Sequence, residues 1–429
     1  MEKKHEQFLN KILERRRFGI KPGLETISRL AEKMGSPEKN LKFVHIAGTN
    51  GKGATCALVD SVLREAGIST GRFTSPHLVS INERFFVNGN PVSDELLAST
   101  INETIPIIEE FEKESRSETT FFECLTLVAL CLFAKANVQV VVFETGLGGR
   151  FDATNIIPPE NLLCCAITRI GLDHCDYLGN TIPEIAAEKG GIVKRDSTLV
   201  LGKMPKEAKD VILEIAESKN AVFKDASKEK LPDEDIGLWG SFQKENAKTA
   251  LSILNVLKEF GFSIPDDAIK SGFKNVIWPG RCQRIEKDGA NFIVDGAHNP
   301  DAANALLGAL EAIDSQVGLI AGFCGDKDVD GHLAIMAKRA VKAWAVKTRN
   351  ERSLDAQKVS QMMRNAGIED VSISNSLSDA LTAAGEWSKK NRTTVVVCGS
   401  LFLAGEALQE LNAFPWNTDR VDDNESVSK

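Results

Sequence analysis

The chain has 429 residues, with 52 basic against 60 acidic side chains and a net charge of −8. That length suffices for two domains with a core each, and the negative balance excludes long-range attraction to nucleic acid or to an anionic membrane. The longest apolar stretch, Leu125 to Phe143, is interrupted by Lys135, Asn137 and Gln139, and the opening MEKKHEQ has no apolar secretory region, so a cytoplasmic enzyme without a membrane partner is expected.

Short apolar runs alternate with amphipathic stretches. The first run is Phe43–Ala47, followed by a helical pattern over Thr55–Ala66. A second helical pattern, Cys124–Ala134, leads into the run Val138–Phe143, whose β-branched VVVF suits a strand buried on both faces. Leu163–Thr168 and the helical Ile182–Lys189 repeat the pattern. This alternation predicts an α/β fold with a mostly parallel sheet and helices on both of its faces. From about residue 290, strands are predicted at Asn291–Val294, Val317–Ala321, Ala343–Val346, Val371–Ser374 and Thr393–Cys398, with Ala-rich helices such as Asp301–Ile313 between them. The charged, Gly-containing segment Ile277–Gly289 separates the two sets, giving expected domains at 1–285 and 286–415. The polar tail 416–429 is expected to be disordered. Nine scattered cysteines without a CxxC pair read as reduced, mostly buried thiols.

The strongest motif is AGTNGKGA, residues 47–54, at a predicted strand-to-helix turn. Gly48, Gly51 and Gly53, with Thr49 and Asn50 between them, let the backbone turn its N–H groups towards an anion, and Lys52 adds a positive charge against phosphate. The strict P-loop pattern is not met, because Ile46 stands where its first Gly belongs and Gly53 where Ser or Thr belongs. Such a loop is also compatible with a plain connection. Glu144 closes the run VVVF and would sit at the carboxyl edge of the sheet, where open α/β sheets bind ligands; a surface Glu at a strand end is the other reading. His174, in IGLDHCD, would emerge at the same edge and complete a phosphate–metal centre. In DGAHNP, Asp295 and His298 precede Asn299, read as a helix cap, and Pro300, read as the first helical residue. His45 is expected to pack within the first strand, and His5 and His332 to lie at the surface.

AGTNGKG, TSPHL (74–78), NER (82–84), TFFE (120–123), ETGLGGRFDATN (144–155), GLDH (171–174), EKGGIVK (188–194), WPGR (278–281), DGAHNP (295–300) and GSLFLAGE (399–406) run in one order along nearly the whole chain. Together they resemble the folylpolyglutamate synthase/dihydrofolate synthase branch of the Mur ligase superfamily. The resemblance implies a P-loop ATPase domain followed by a smaller Rossmann-like α/β domain, with the active site between them. It implies a monomeric, ATP-dependent ligase that joins L-glutamate to dihydropteroate and to reduced folates through an acyl phosphate.

By motif, Ser75, Glu144 and His174 would bind Mg²⁺, of which two ions are expected, and Lys189 would be the lysine that CO₂ carbamylates. An ordinary helix lysine paired with Glu188 is the other reading of Lys189. Asn246 would contact adenine, Arg281 the phosphates and Asp295 the ribose, while His298 would face the nucleotide. Thr120, Phe122, Asp152 and Ala153 match positions that hold the pterin; Asp152 is also readable as the cap of the turn into ATN. The family's Ser or Thr at position 54 is Ala54 here, with Thr55 as the expected stand-in hydroxyl, and its HQ pair is Phe242–Gln243. A peptidoglycan-precursor ligase of the same superfamily would show GKTT after the loop, and a nucleotide-binding regulator would not need Glu144, His174, Lys189 and DGAHNP together.

Overall fold

The computed structural model describes residues 10–19, 21–232, 236–313, 316–325 and 327–416. The fold is α/β, with two sheets dominated by parallel pairs. The first sheet comprises β1 (Phe43–Ala47), β2 (Thr70–Phe73), β3 (Phe85–Val87), β4 (Asn90–Pro91), β5 (Val140–Glu144), β6 (Leu162–Ile167), β7 (Thr198–Leu201) and β8 (Val222–Asp225). Their order is β4-β3-β2-β5-β1-β6-β7-β8. All neighbours are parallel except β2–β3 and β3–β4.

The second sheet comprises β9 (Gln283–Lys287), β10 (Ala290–Val294), β11 (Val317–Ala321), β12 (Ala340–Ala345), β13 (Asp370–Ile373) and β14 (Thr394–Cys398), in the order β13-β12-β11-β14-β10-β9. Only β9 runs antiparallel to its neighbour. Because β9 begins at Gln283, a division after 285 falls inside a strand of the second sheet.

The central strands carry apolar side chains on both faces because both faces are covered. In β1, Phe43 and Ala47 enter one core while Val44 and Ile46 enter another; β5 likewise sends Val141 and Phe143 one way and Val140 and Val142 the other. Two further cores sandwich the second sheet. Local signals set the helix starts. Thr120 and Glu123 form a reciprocal cap before Phe121–Lys135, Thr181 and Glu184 do the same before Ile182–Gly190, and Asn299 caps Pro300–Leu310.

The helix after β1 runs Lys52–Glu65, three residues ahead of the expected Thr55. Gly51, at φ 90°, is its N-cap, so the last residues of the glycine loop are already helical. Trp416 stacks edge-on against Phe86 of β3 at 4.9 Å, tying the end of the second unit to the first sheet. The remainder of the expected tail, from Asn417, lies outside the described residues, as does His5.

One reading is corrected. His332 is fully buried, not at the surface. It lies on the inner side of the helix Val329–Met336, edge-on to Phe323 at 5.1 Å and with Nε2 3.5 Å from Cys398 Sγ. Burial pushes its pKa down to about 4, so the ring is neutral and can be enclosed. All nine cysteines are free. Among the described residues, no helix is long and apolar enough to cross a membrane.

Candidate active site

The carboxyl ends of β1, β5 and β6 open into a cavity of about 1160 Å³, closed on the other side by residues that follow β10 and β14. The glycine loop forms its floor. Thr49 is pinned to the loop after β6 by its N–H to the Arg169 carbonyl at 2.8 Å and its hydroxyl to the Gly171 carbonyl at 3.0 Å. The loop must also admit close neighbours. A Cβ on Gly51 would fall 2.3 Å from Asn246 Oδ1, and one on Gly53 would fall 2.3 Å from the Trp278 ring. The Lys52 amine folds back onto the Gly48 and Thr49 carbonyls at 3.0 and 3.2 Å. Ala54 lines the cavity, but Thr55 does not: it is fully buried in the helix, so it is no substitute hydroxyl at the loop.

Glu144 ends β5 and is 3% exposed, which rules out a plain surface Glu. Its Oε2 accepts the Ser75 N–H at 2.8 Å. Burial pushes its carboxyl up, opposed first by the Lys52 charge and then by that N–H. His174 follows β6 in a left-handed conformation, φ 51°, with 46% of its side chain exposed.

Lys189 lies near the end of its helix and is only 4% exposed. Its amine makes no hydrogen bond or ion pair within the described residues, since Glu188 pairs with Arg150 instead. Burial, with the neighbouring Lys52 charge, lowers its pKa to about 7. Near pH 7 such an amine is neutral in a large fraction of molecules, and the neutral amine is the form that reacts with CO₂.

Thr120, Phe122, Asp152 and Ala153 form another wall of the same cavity. Thr120 spends its hydroxyl on the Glu123 cap. Phe122 packs against Gly146, where a Cβ would meet its ring at 2.5 Å. Asp152 caps the turn Ala153–Ile156. Its Oδ1 accepts from the Thr154 N–H and hydroxyl, and its Oδ2 accepts the Leu147 N–H at 2.8 Å. The capping reading of Asp152 is therefore realised, and most of the acceptor capacity of its carboxylate is already taken.

From the second unit, Asp295 accepts the Cys282 and Ala297 N–H groups, both at 2.7 Å, and burial raises its carboxyl despite Arg281 beside it. His298 sets Nδ1 on the Gly296 carbonyl at 2.9 Å; burial holds its pKa down to about 4, so Nδ1 carries the proton and Nε2 is an acceptor. Arg281 bonds through Nη1 to the Gly280 carbonyl at 3.1 Å, and Asn246 donates to Gln243 Oε1 at 2.8 Å. Apart from Thr55, every residue singled out above for a ligand, a metal or catalysis lines this one cavity.

Sequence reasoning missed the clasp that joins the two units. Asp301, in the first turn of the helix Pro300–Leu310, accepts Asn50 Nδ2 at 2.6 Å and Arg169 Nη2 at 2.7 Å. Asn299 donates to Asp173 Oδ2 at 3.2 Å beside it. The only signal was an acidic residue directly after DGAHNP.

Residues 46–256 match the Mur ligase middle domain, and residues 280–401 match the Mur ligase, glutamate ligase domain. The dihydrofolate synthase/folylpolyglutamate synthase of Bacillus subtilis (strain 168) is 39% identical over 341 residues, which cover 73% of this chain and 78% of that one. That of Escherichia coli (strain K12) is 32% identical, covering 91% of this chain and 92% of the other. The chain belongs to the dihydrofolate synthase/folylpolyglutamate synthase branch of the Mur ligases. Its fold superposes on a Mycobacterium tuberculosis folylpolyglutamate synthase complexed with ADP with a TM-score of 0.87 at 31% identity, covering 96% of this chain and 99% of that one.

Three side chains along the cavity have the chemistry to serve a cation. Ser75, Glu144 and His174 offer a hydroxyl, a carboxylate and an imidazole, and among the described residues no three His, Cys, Asp or Glu side chains form a closed metal cage. So sparse a donor set fits an ion that keeps waters and takes phosphate oxygens, as Mg²⁺ does.

Proposed function

We propose that this Mur ligase uses ATP to join L-glutamate to dihydropteroate and to reduced folates. The observation that carries the reading is the single cavity that gathers the glycine loop, Glu144, Lys189, the Asp152 wall and the Asp295–His298 turn from both sheets. A relative from Escherichia coli has been solved in complex with DHPP and ADP (TM-score 0.82, 30% identity), and another relative with Mn, AMPPNP and L-glutamate bound (TM-score 0.78, 28% identity). We assign the nucleotide and the acid to the unit that precedes Gln283, and the closing face, residues to about 415, to the second.

Forming an amide from a carboxylate and an amine is uphill in water. The acid's carboxylate takes the γ-phosphoryl group, ADP departs, and the neutral glutamate amine attacks the acyl carbon; the amine loses its proton and phosphate leaves. Two anions must meet in the first step. Lys52 and Arg281 supply positive charge where they do so. Ser75, Glu144 and His174 would hold one Mg²⁺, and Lys189, as a carbamate formed from its neutral amine and CO₂ with loss of a proton, would help hold a second. Bound there, Mg²⁺ would neutralise phosphate charge and align the transfer. Asn246 and Asp295 are assigned to the adenine and the ribose, and His298 faces the nucleotide from the second unit. Thr120, Phe122, Asp152 and Ala153 are assigned to the pterin, with Phe122 as the stacking face.

The test is glutamate-dependent ADP release, measured separately with dihydropteroate and with tetrahydrofolate. Turnover with both supports the reading. Turnover with tetrahydrofolate alone reduces it to a folylpolyglutamate synthase, and none with either refutes it.

A further inference from the structure

A histidine sits in the middle of β1, among apolar residues, with no part in the chemistry assigned above. His45 is fully buried and shares its face of the sheet with Phe43, Ala47 and Phe143. A Phe or Leu would fill this space without a polar atom to satisfy, since burying an imidazole costs free energy unless it is hydrogen-bonded. His45 Nε2 lies 2.7 Å from Thr154 Oγ1. Thr154 is also fully buried, and its hydroxyl hydrogen-bonds to Asp152 Oδ1.

The proton inventory fixes the direction of this chain. A threonine hydroxyl has one hydrogen, and the Asp152 oxygens already accept the Leu147 and Thr154 N–H groups, so the hydroxyl donates to Asp152 and accepts from His45. Burial holds the His45 pKa down to about 3, so the ring is neutral, with its single N–H on Nε2. Nδ1 then needs a donor, and it has no hydrogen-bond partner among the described residues. An imidazole standing where an apolar side chain would fit points to the Nε2 contact as its purpose.

What the chain holds is the acid side of the cavity. Asp152 binds the Leu147 N–H through Oδ2 while Thr154 holds Oδ1, and Asp152 N–H reaches the Gly149 carbonyl at 3.2 Å. The lining segment from Gly146 to Ala153 is thereby cross-braced from beneath. We propose that His45 is a positioning residue for the acid substrate, acting through Thr154 and Asp152 on the cavity wall that receives the pterin. The inference rests on the assignment of that wall to the acid. It gives one strand two tasks, because β1 runs on into the glycine loop three residues after His45.

The experiment is a pair of KM values, one for the acid (dihydropteroate or tetrahydrofolate) and one for ATP, on the full-length enzyme. Thr154→Val removes the hydroxyl and leaves β1 untouched. It should raise the acid KM about tenfold or more, because the hydroxyl makes two buried hydrogen bonds, one to Asp152 and one from His45, and leave the ATP KM within roughly twofold of the parent. Thr154→Ser should restore the acid KM. His45→Gln, which keeps an N–H donor, should stay closer to the parent than His45→Leu. A role confined to packing would move the ATP KM at least as much, since His45 adjoins the phosphate loop.

An acid KM unchanged in Thr154→Val, or acid and ATP KM values that rise together, overturns the proposal. If Thr154→Val does not fold, the His45→Gln and His45→Leu pair decides by the same ratio. Asp152→Asn separates the two layers. A raised acid KM there with Thr154→Val at the parent value sinks the relay alone; parent values in both sink the acid-wall assignment as well.

Discussion

Lys189 makes stability depend on pH in a direction its chemistry dictates. In the unfolded chain its amine has an ordinary pKa of 10.5, and in the folded protein burial lowers this to about 7. Between those two values the unfolded chain holds a proton that the folded chain does not, so stability rises with pH across the window and levels off outside it. At about 1.4 kcal/mol per pH unit, the gap from 10.5 to about 7 gives a total of about 5 kcal/mol. Lys189→Met keeps the stem and removes the titration. Urea unfolding of parent and variant, from pH 7 to 10 in CO₂-free buffer with a chelator, isolates the difference, since the other titrating groups are shared. The parent curve should climb relative to the variant by about 1 kcal/mol per pH unit, and the variant should be the more stable at pH 7. Parallel curves would falsify the account of Lys189 as a buried, proton-shedding amine, and with it the physical ground for a carbamate there.

Lys52→Ala removes a charge-assisted phosphate contact worth about 1.5–3 kcal/mol, and more in the transition state, so kcat should fall about a hundredfold with the thermal transition unchanged; near-parent turnover would show that the loop is not the phosphate site. Asp301→Ala cuts both bonds of the clasp, one of them to the half-exposed Arg169, whose share is discounted for solvent. The kcat/KM for ATP should fall roughly tenfold, equal to about 1.4 kcal/mol, and steady-state kinetics that match the parent would remove the clasp from the working cycle. Gly53→Ala puts a methyl 2.3 Å from the Trp278 ring; a loss of about 1–3 kcal/mol in denaturant unfolding is expected, relieved in the double variant with Trp278→Ala, and an undiminished midpoint in the single variant would show that the ring simply moves aside.

The parts legible in the sequence were those whose burial writes a continuous pattern. FVHIA and VVVF are covered on both faces, so their apolar runs mark β1 and β5 directly, and Asn299–Pro300 marks a helix start through its own cap. The edges of the first sheet were not legible. β4 is two residues long, and β8 leaves Val222 65% exposed, so neither produces a run or an alternation. His332 was misread because polarity alone cannot say which way a short helix turns a neutral imidazole. The Asp301 clasp was invisible for a different reason. Asn50 and Asp301 are 251 residues apart, and neither residue type is unusual where it stands. Trp278 was read as part of a boundary segment, and only its contact with Gly53 shows that it also shapes the phosphate loop.

That contact accounts for one of the loop's two departures from the strict P-loop pattern, and the strand accounts for the other. Ile46 cannot be the first glycine of a longer loop, because it is a fully buried strand residue in register with Glu144 on one side and Ala166 on the other. The turn therefore starts only at Gly48. At its far end the Trp278 ring lies where a side chain on residue 53 would go, so the Ser or Thr that a P-loop offers to a cation has no room there. Ala54 brings no hydroxyl, and Thr55 is buried away from the cavity. A hydroxyl for the proposed metal would then have to come from another segment. Ser75, which follows β2 and donates its N–H to Glu144 at 2.8 Å, lines the cavity beside the one buried carboxylate at the end of β5. The physical reason to look for the cation between Ser75 and Glu144, rather than inside the loop, is thus a tryptophan from the segment that leads into the second sheet.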